Sequence, residues 1–246
     1  MGVGSQEKLA QSPAAILAYL KLKRLRTFLM VRDIVGSLQK GLNKARTGGT
    51  MVDPSNTLMA RIVAEQSIPY KSELYNRGVS QFKNNLDRIL EKTKKHGVPV
   101  LVSDLVSNIK DQPPFVSVEA DSFPAASEIY AEATALLQQG EADEAKSRFI
   151  LAKDLDALRF RATEEMNDII RTTAHKYNVP VVPMQQKFSE HSADNLIGNE
   201  LILEHLHPTM KGYFLMADAF FQTMKEHKFI ADHWDEADIT PIMNSP

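Results

Sequence analysis

The stretch N-E-L-I-L-E-H-L-H-P-T-M-K-G-Y-F-L-M-A-D, Asn199 to Asp218, decides the reading of this chain. Glu204 and His207 stand three residues apart, so a helical turn here brings a carboxylate within reach of an imidazole on one face. Pro208 ends that turn, and Thr209 is placed to cap the next helix. Tyr213 to Phe229 then reads as an amphipathic helix, with Phe214, Ala217, Phe221, Met224 and Phe229 at helical spacing. The pattern is an acid holding a base, anchored by a helix; a plain polar surface loop is the competing reading.

A hydroxyl is a weak nucleophile at neutral pH. It needs an imidazole to take its proton, and a carboxylate on the far ring nitrogen fixes the tautomer that can do so. The order acid-x-x-His-Pro, with Gly212-Tyr213 and an apolar helix after it, resembles the last motif of the SGNH, or GDSL-type, ester hydrolases. In that family the acid is usually Asp, and Glu204 adds one methylene to the reach. The resemblance implies His207 as general base and Glu204 as its orienting partner.

Outward from this stretch, two short apolar runs read as buried parallel strands, each delivered by a helix. Lys71 to His96 is helical, with Tyr75, Phe82, Leu86 and Ile89/Leu90 on one face and Gly97 as a C-terminal stop, and it leads into Val98 to Leu105. Tyr177 to Pro183 is the second run. The two are expected to pair, with their carboxyl ends bringing Asn108 and the 204–207 loop to one edge, where open α/β sheets place ligands.

The loop Ser107 to Phe115 resembles a Ser-Asn-x-x-Asp-x-Pro-Pro-Phe-like segment of one branch of the same family. That makes Asn108 either an amide offered to substrate or oxyanion, or a turn residue there for backbone reasons. Asp121 to Lys176 is a long helical stretch in which Gly140, Ala145, Phe149 and Ala152 match the small-residue spacing of a tetratricopeptide repeat, and the same branch carries such repeats here. One repeat does not bury its own face, so a helical hairpin packed on the α/β part is expected, with protein binding through the hairpin as the alternative. The charged segment Asp154 to Arg161 comes next, and the resemblance makes Arg159 and Arg161 candidates for gripping an anionic substrate group.

Nearer the start, Pro13 to Lys44 and Ser55 to Glu65 read as helices separated by a Gly-containing loop. The first is basic and amphipathic, a pattern shared by membrane-surface helices and by helices that pack one stripe on a domain. With 246 residues, 43% of them hydrophobic, a net charge of −2 and no Cys, the chain has the length for a core, offers no global attraction to nucleic acid, and holds neither disulfides nor thiolate metal sites. No run is apolar enough to span a membrane. Nothing in this composition fixes a compartment.

The fold class expected is α/β: an incomplete flavodoxin-like three-layer sandwich with parallel strands, predominantly helical. Residues 1–120 and 170–246 form the hydrolase-like part, and 121–169 the tetratricopeptide-like insertion. The Ser, Gly and Asn motifs that complete a site of this family are not found, and Met1 to Ser5 resembles the residues directly downstream of the Asn motif. A carboxyl-terminal portion of a longer hydrolase is therefore expected, supplying acid and base without the nucleophile and inactive by itself. Its substrate is a small-molecule, glycan or lipid ester and its reaction needs no cofactor. Two rivals remain: a non-enzymatic interaction module, and a metal-dependent hydrolase using His205 and His207 with Glu204, His191 or Asp194.

Overall fold

The computed structural model describes residues 67–119 and 123–229, together with the single residues Lys21, Leu22, Leu25, Phe28, Met30 and Ala231. The helix expected at 55–65 and nearly all of that at 13–44 lie outside them. By its contacts the chain divides into Met1–Leu58 and Met59–Pro246, and the helices and strands between residues 67 and 229 belong to the second unit.

Helix α1 spans Glu73–Lys95. It starts where Ser72 Oγ accepts the backbone N–H of Tyr75, carries Glu73 in its first turn and Lys92, Lys94 and Lys95 in its last, and so matches its dipole at both ends. Gly97 comes just after with φ of +64°, the left-handed conformation that stops a helix. Tyr75 and Leu90 are buried, whereas Ile89 points to solvent, which narrows the expected inner face.

The two expected strands exist, run parallel and pair, but each is short. Val102–Ser103 forms β1 and Val181–Val182 forms β2, in the register Val102 with Val181 and Ser103 with Val182. The ladder stops because β2 lies between Pro180 and Pro183, which have no N–H to lend it. Beyond Ser103, Leu105 bonds instead to a side chain. Its N–H donates to Asn167 Oδ1 at 2.8 Å, and Asn167 Nδ2 donates back to its carbonyl at 3.0 Å. A fully buried amide thus stands in for a neighbouring strand.

Helices α2 (Ala126–Gln138) and α3 (Ala142–Leu155) form an antiparallel hairpin that turns at Gly140, where φ is +85°. Ala126, Ala133, Ala145 and Ala152 are completely buried, so small side chains let the two backbones approach. The hairpin does not stand apart: Ala133, Ala145 and Phe149 belong to the same core as Val182, Phe188 and Leu215. Helix α4 (Glu164–Tyr177) ends at Asn178 in the left-handed region and feeds β2, and α5 (Met184–Glu190) begins at once after it. Asp104, just past β1, accepts the N–H of Gln185 in the first turn of α5 and the guanidinium of Arg171.

The last described helix, α6 (Met210–Glu226), starts three residues before the expected position, with Thr209 Oγ1 accepting the N–H of Gly212. Its inner face also differs from the expected one. Gly212, Leu215, Ala219 and Thr223 are buried, while Phe214 is 40% exposed and Phe221 only partly covered. The apolar residues of this helix cover much of its circumference, and periodicity alone does not choose among them. The choice falls to Gly212, because only a residue without Cβ fits beneath Leu201: a Cβ there would lie 2.2 Å from the Leu201 carbonyl oxygen.

Candidate active site

The Glu204–His207 pair forms, but not on a helical turn. Residues 203–206 are a series of bends closed as a tight loop by the antiparallel bridge between Ile202 and Pro208. The N–H of Leu203 donates to the His207 carbonyl at 2.8 Å and that of Thr209 to the Leu201 carbonyl at 2.9 Å. Leu201 and Ile202, completely buried, root the loop in the core, while Leu203 is left in solvent.

Inside this loop the Glu204 carboxylate is the organising group. Oε1 is bonded to Nδ1 of His207, and Oε2 accepts the backbone N–H of His205 and, at 3.1 Å, that of Leu206, while also touching Nδ1 of His205. Partial desolvation works against its charge, but the His207 bond and the two backbone donors prevail and hold its carboxyl at about 2. The carboxylate is therefore ionised at any pH where an imidazole acts as a base. With Nδ1 of His207 engaged by Glu204, Nε2 is the nitrogen left to accept a proton, and 63% of the side chain is open to solvent.

His205 has another setting. Its ring lies 5.4 Å from both Phe115, edge-on, and Phe160, tilted. Burial lowers its basicity, with His207 and Arg161 acting the same way and Glu204 and Asp156 opposing. His205 is thus a packing residue of the loop, and among the described residues no three His, Asp or Glu side chains are grouped to hold a metal ion.

The loop after β1 closes against this one. The Asn108 N–H donates to the His205 carbonyl at 3.0 Å, and both Ile109 and Lys110 donate to the carbonyl of Ile197. Asn108 itself is completely buried: Nδ2 donates to Asn199 Oδ1 at 2.7 Å and Oδ1 accepts the Asp111 N–H at 2.9 Å. Its amide is used by the chain. Arg161, 4% exposed, donates to the carbonyls of Asn108 and Gln112 and to Asp156 Oδ2. Asp156 in turn accepts the N–H groups of Phe115, Val116 and Leu158. Within the charged segment, Asp156 and Arg161 thus form a buried hub that pins the 107–116 loop under His205. Asp156, Asn167 and Phe160 are not marked as site residues by any motif, and the signal available was charge density in D-L-D-A-L-R-F-R without the helical alternation of a solvated face.

These contacts leave a cavity of about 440 Å³ at the carboxyl ends of the strands, lined by Ser103, Ser107, Phe160, Arg161, His207 and Tyr213 among others. The hydroxyl of Ser103 donates to the Asp104 carbonyl, and among the described residues no hydroxyl is bonded to His207. A carboxylate–imidazole pair thus borders a cavity beyond the parallel strand ends, where open α/β sheets place ligands. The sequence also matches the family model GDSL-like Lipase/Acylhydrolase over residues 53–220, and the chain belongs to that family. At the level of the family this means an SGNH-type α/β fold and ester hydrolysis. No curated protein and no solved structure matches the chain.

Proposed function

We propose that this chain provides the acid–base half of an acyl-ester hydrolase, with His207 as general base through Nε2 and Glu204 as the group that fixes its tautomer. The observation that carries the reading is the clamp on Glu204, whose carboxylate holds His207 Nδ1 and two backbone N–H groups of one closed loop at once. Such preorganisation matters because a base that must first find its orientation loses rate before chemistry begins. The attacking hydroxyl comes from outside the described residues. The α2–α3 hairpin is read as a tetratricopeptide-like insertion, residues 121–169, within a hydrolase-like domain made of 1–120 and 170–246. Its principal role is to close the core, since Ala133, Ala145 and Phe149 face inward. A substrate ester of small size suits the cavity beside His207.

Imidazole nitrogen shifts test the pairing directly. His207 should carry its proton on Nδ1 with Nε2 free, and Glu204→Gln should shift the population toward the other tautomer. A His207 found protonated on Nε2 in the wild-type chain would sink the assignment. The source of the hydroxyl is tested separately: a fluorophosphonate probe should label none of the described serines, and p-nitrophenyl acetate hydrolysis should not exceed that of His207→Ala. Stoichiometric labelling of Ser103 or Ser107, lost in His207→Ala, would place the nucleophile within the described residues.

A further inference from the structure

A second cavity, about 360 Å³, opens between α1, α4 and the 159–163 segment, sharing Leu105, Phe160, Arg161 and Ala162 with the His207 cavity. Its volume falls within the range of small-ligand pockets, which begins at roughly 300 Å³. Its walls are mostly apolar, with Ile68, Val79 and Met166 inside. Leu74 and Leu105 line it as well, 47% and 43% exposed. At Gly78 the helix leaves open space, for a Cβ built there meets no atom within 4 Å.

Among the described residues, two guanidinium N–H groups on residues of this wall lack a counterpart, Arg161 Nε and Arg159 Nη2, and of the two side chains only Arg161 has a carboxylate partner. Arg159 Nε donates to the Ile68 carbonyl and Nη1 to the Asp154 carbonyl, but the buried Nη2 has no hydrogen-bond partner. The Tyr75 ring, 5.0 Å from the guanidinium carbon, offers it only a π face. Among the described residues Arg159 makes no ion pair, because the neighbouring carboxylates are committed elsewhere: Asp154 to Lys153 and Asp156 to Arg161. A guanidinium withdrawn from water without an anion is unfavourable, and a carboxylate would satisfy both its charge and its free N–H.

From the apolar walls, the open space at Gly78 and the unmatched Arg159, we propose that this cavity binds an aliphatic carboxylate of medium length, with the tail along α1 and the head toward Arg159. Such a molecule is also the acid product of ester cleavage next door, but the binding site does not depend on His207 being a base.

Titration of the full chain with sodium octanoate, monitored by calorimetry, tests the site. Octanoate should bind saturably and about fourfold more tightly for each methylene added from butanoate upward. Octanol should bind about tenfold more weakly for want of the charge. Gly78→Leu, which fills open space on an exposed helix, should weaken octanoate about tenfold or more with the fold intact. Arg159→Met should erase the preference for octanoate over octanol. His207→Ala should bind octanoate as the wild type does, which separates this proposal from the catalytic one. Absence of saturable binding, octanol binding as tightly as octanoate, or full affinity in Gly78→Leu overturns it.

Discussion

The backbone N–H of Asn108 donates to the carbonyl of His205 across 3.0 Å, joining the loop after β1 to the loop that carries His207. The two loops are 94 residues apart at Asn108 and Ile202, where the Asn108 side chain also reaches the Ile202 carbonyl. Consequently the position of the base is set partly by a residue that never touches it.

Asn108→Ala should therefore act on stability before chemistry. It removes three hydrogen bonds made by a fully buried side chain, one to the buried Ile202 carbonyl and two to the more exposed Asn199 Oδ1 and Asp111 N–H. A loss of about 2–3 kcal/mol is expected, read from denaturant unfolding. Asn108→Asp should be little better, since a carboxylate cannot donate to Asn199.

Two glycine substitutions should move stability in opposite directions. Gly212→Ala drives a Cβ into the Leu201 carbonyl oxygen and Pro208, and should destabilise by about 1–3 kcal/mol while displacing the His207 loop. Gly78→Ala meets nothing within 4 Å in the middle of α1 and should stabilise by about 0.5–1 kcal/mol. Thermal melts of the pair decide it, and equal effects would contradict the packing described at Gly212.

Arg161→Met should be among the most damaging single changes. It leaves Asp156 buried without its cation and frees the carbonyls of Asn108 and Gln112. Removing one partner of a buried pair costs about 3–5 kcal/mol. Unfolding by urea, compared with an exposed control such as Arg77→Met on α1, provides the measurement.

Acidification should weaken the loop in two windows. His205 is less basic folded than unfolded, so once pH falls below its ordinary value of about 6.5 the unfolded state binds the extra proton and stability drops. His205→Phe keeps an aromatic ring between Phe115 and Phe160 and should flatten the change in stability between pH 7.5 and 5.5. Glu204 is shifted in the same direction, but here it is the charged form that the fold favours. Its contribution is present above its unfolded value of about 4.5 and is lost as pH falls toward its folded value of about 2. A Glu204→Gln chain should lack this second, more acidic loss, and an unchanged profile would count against the clamp.

The amino-acid sequence by itself determined the pairing of Glu204 with His207, the Thr209 cap, the helix at 73–95, the small-residue hairpin and the two parallel strands, along with the family they belong to. Each is a local matter, fixed by side chains within a few residues of one another or by a repeat of apolar positions. Tertiary structure decided the rest. Strand length depended on a partner, and β2 between two prolines offered only two residues. The inner face of α6 was chosen by the close approach of Gly212 to Leu201, not by the larger Phe214. Glu204 reached His207 from a bent loop held by Ile202 and Pro208, since bridges and buried anchors overrode the helical reading. Most of all, the fate of Asp156, Arg159, Arg161 and Asn167 was invisible in the chain, because a charge or an amide reads as solvated until distant backbone groups arrive to bind it, and only folding brings them there.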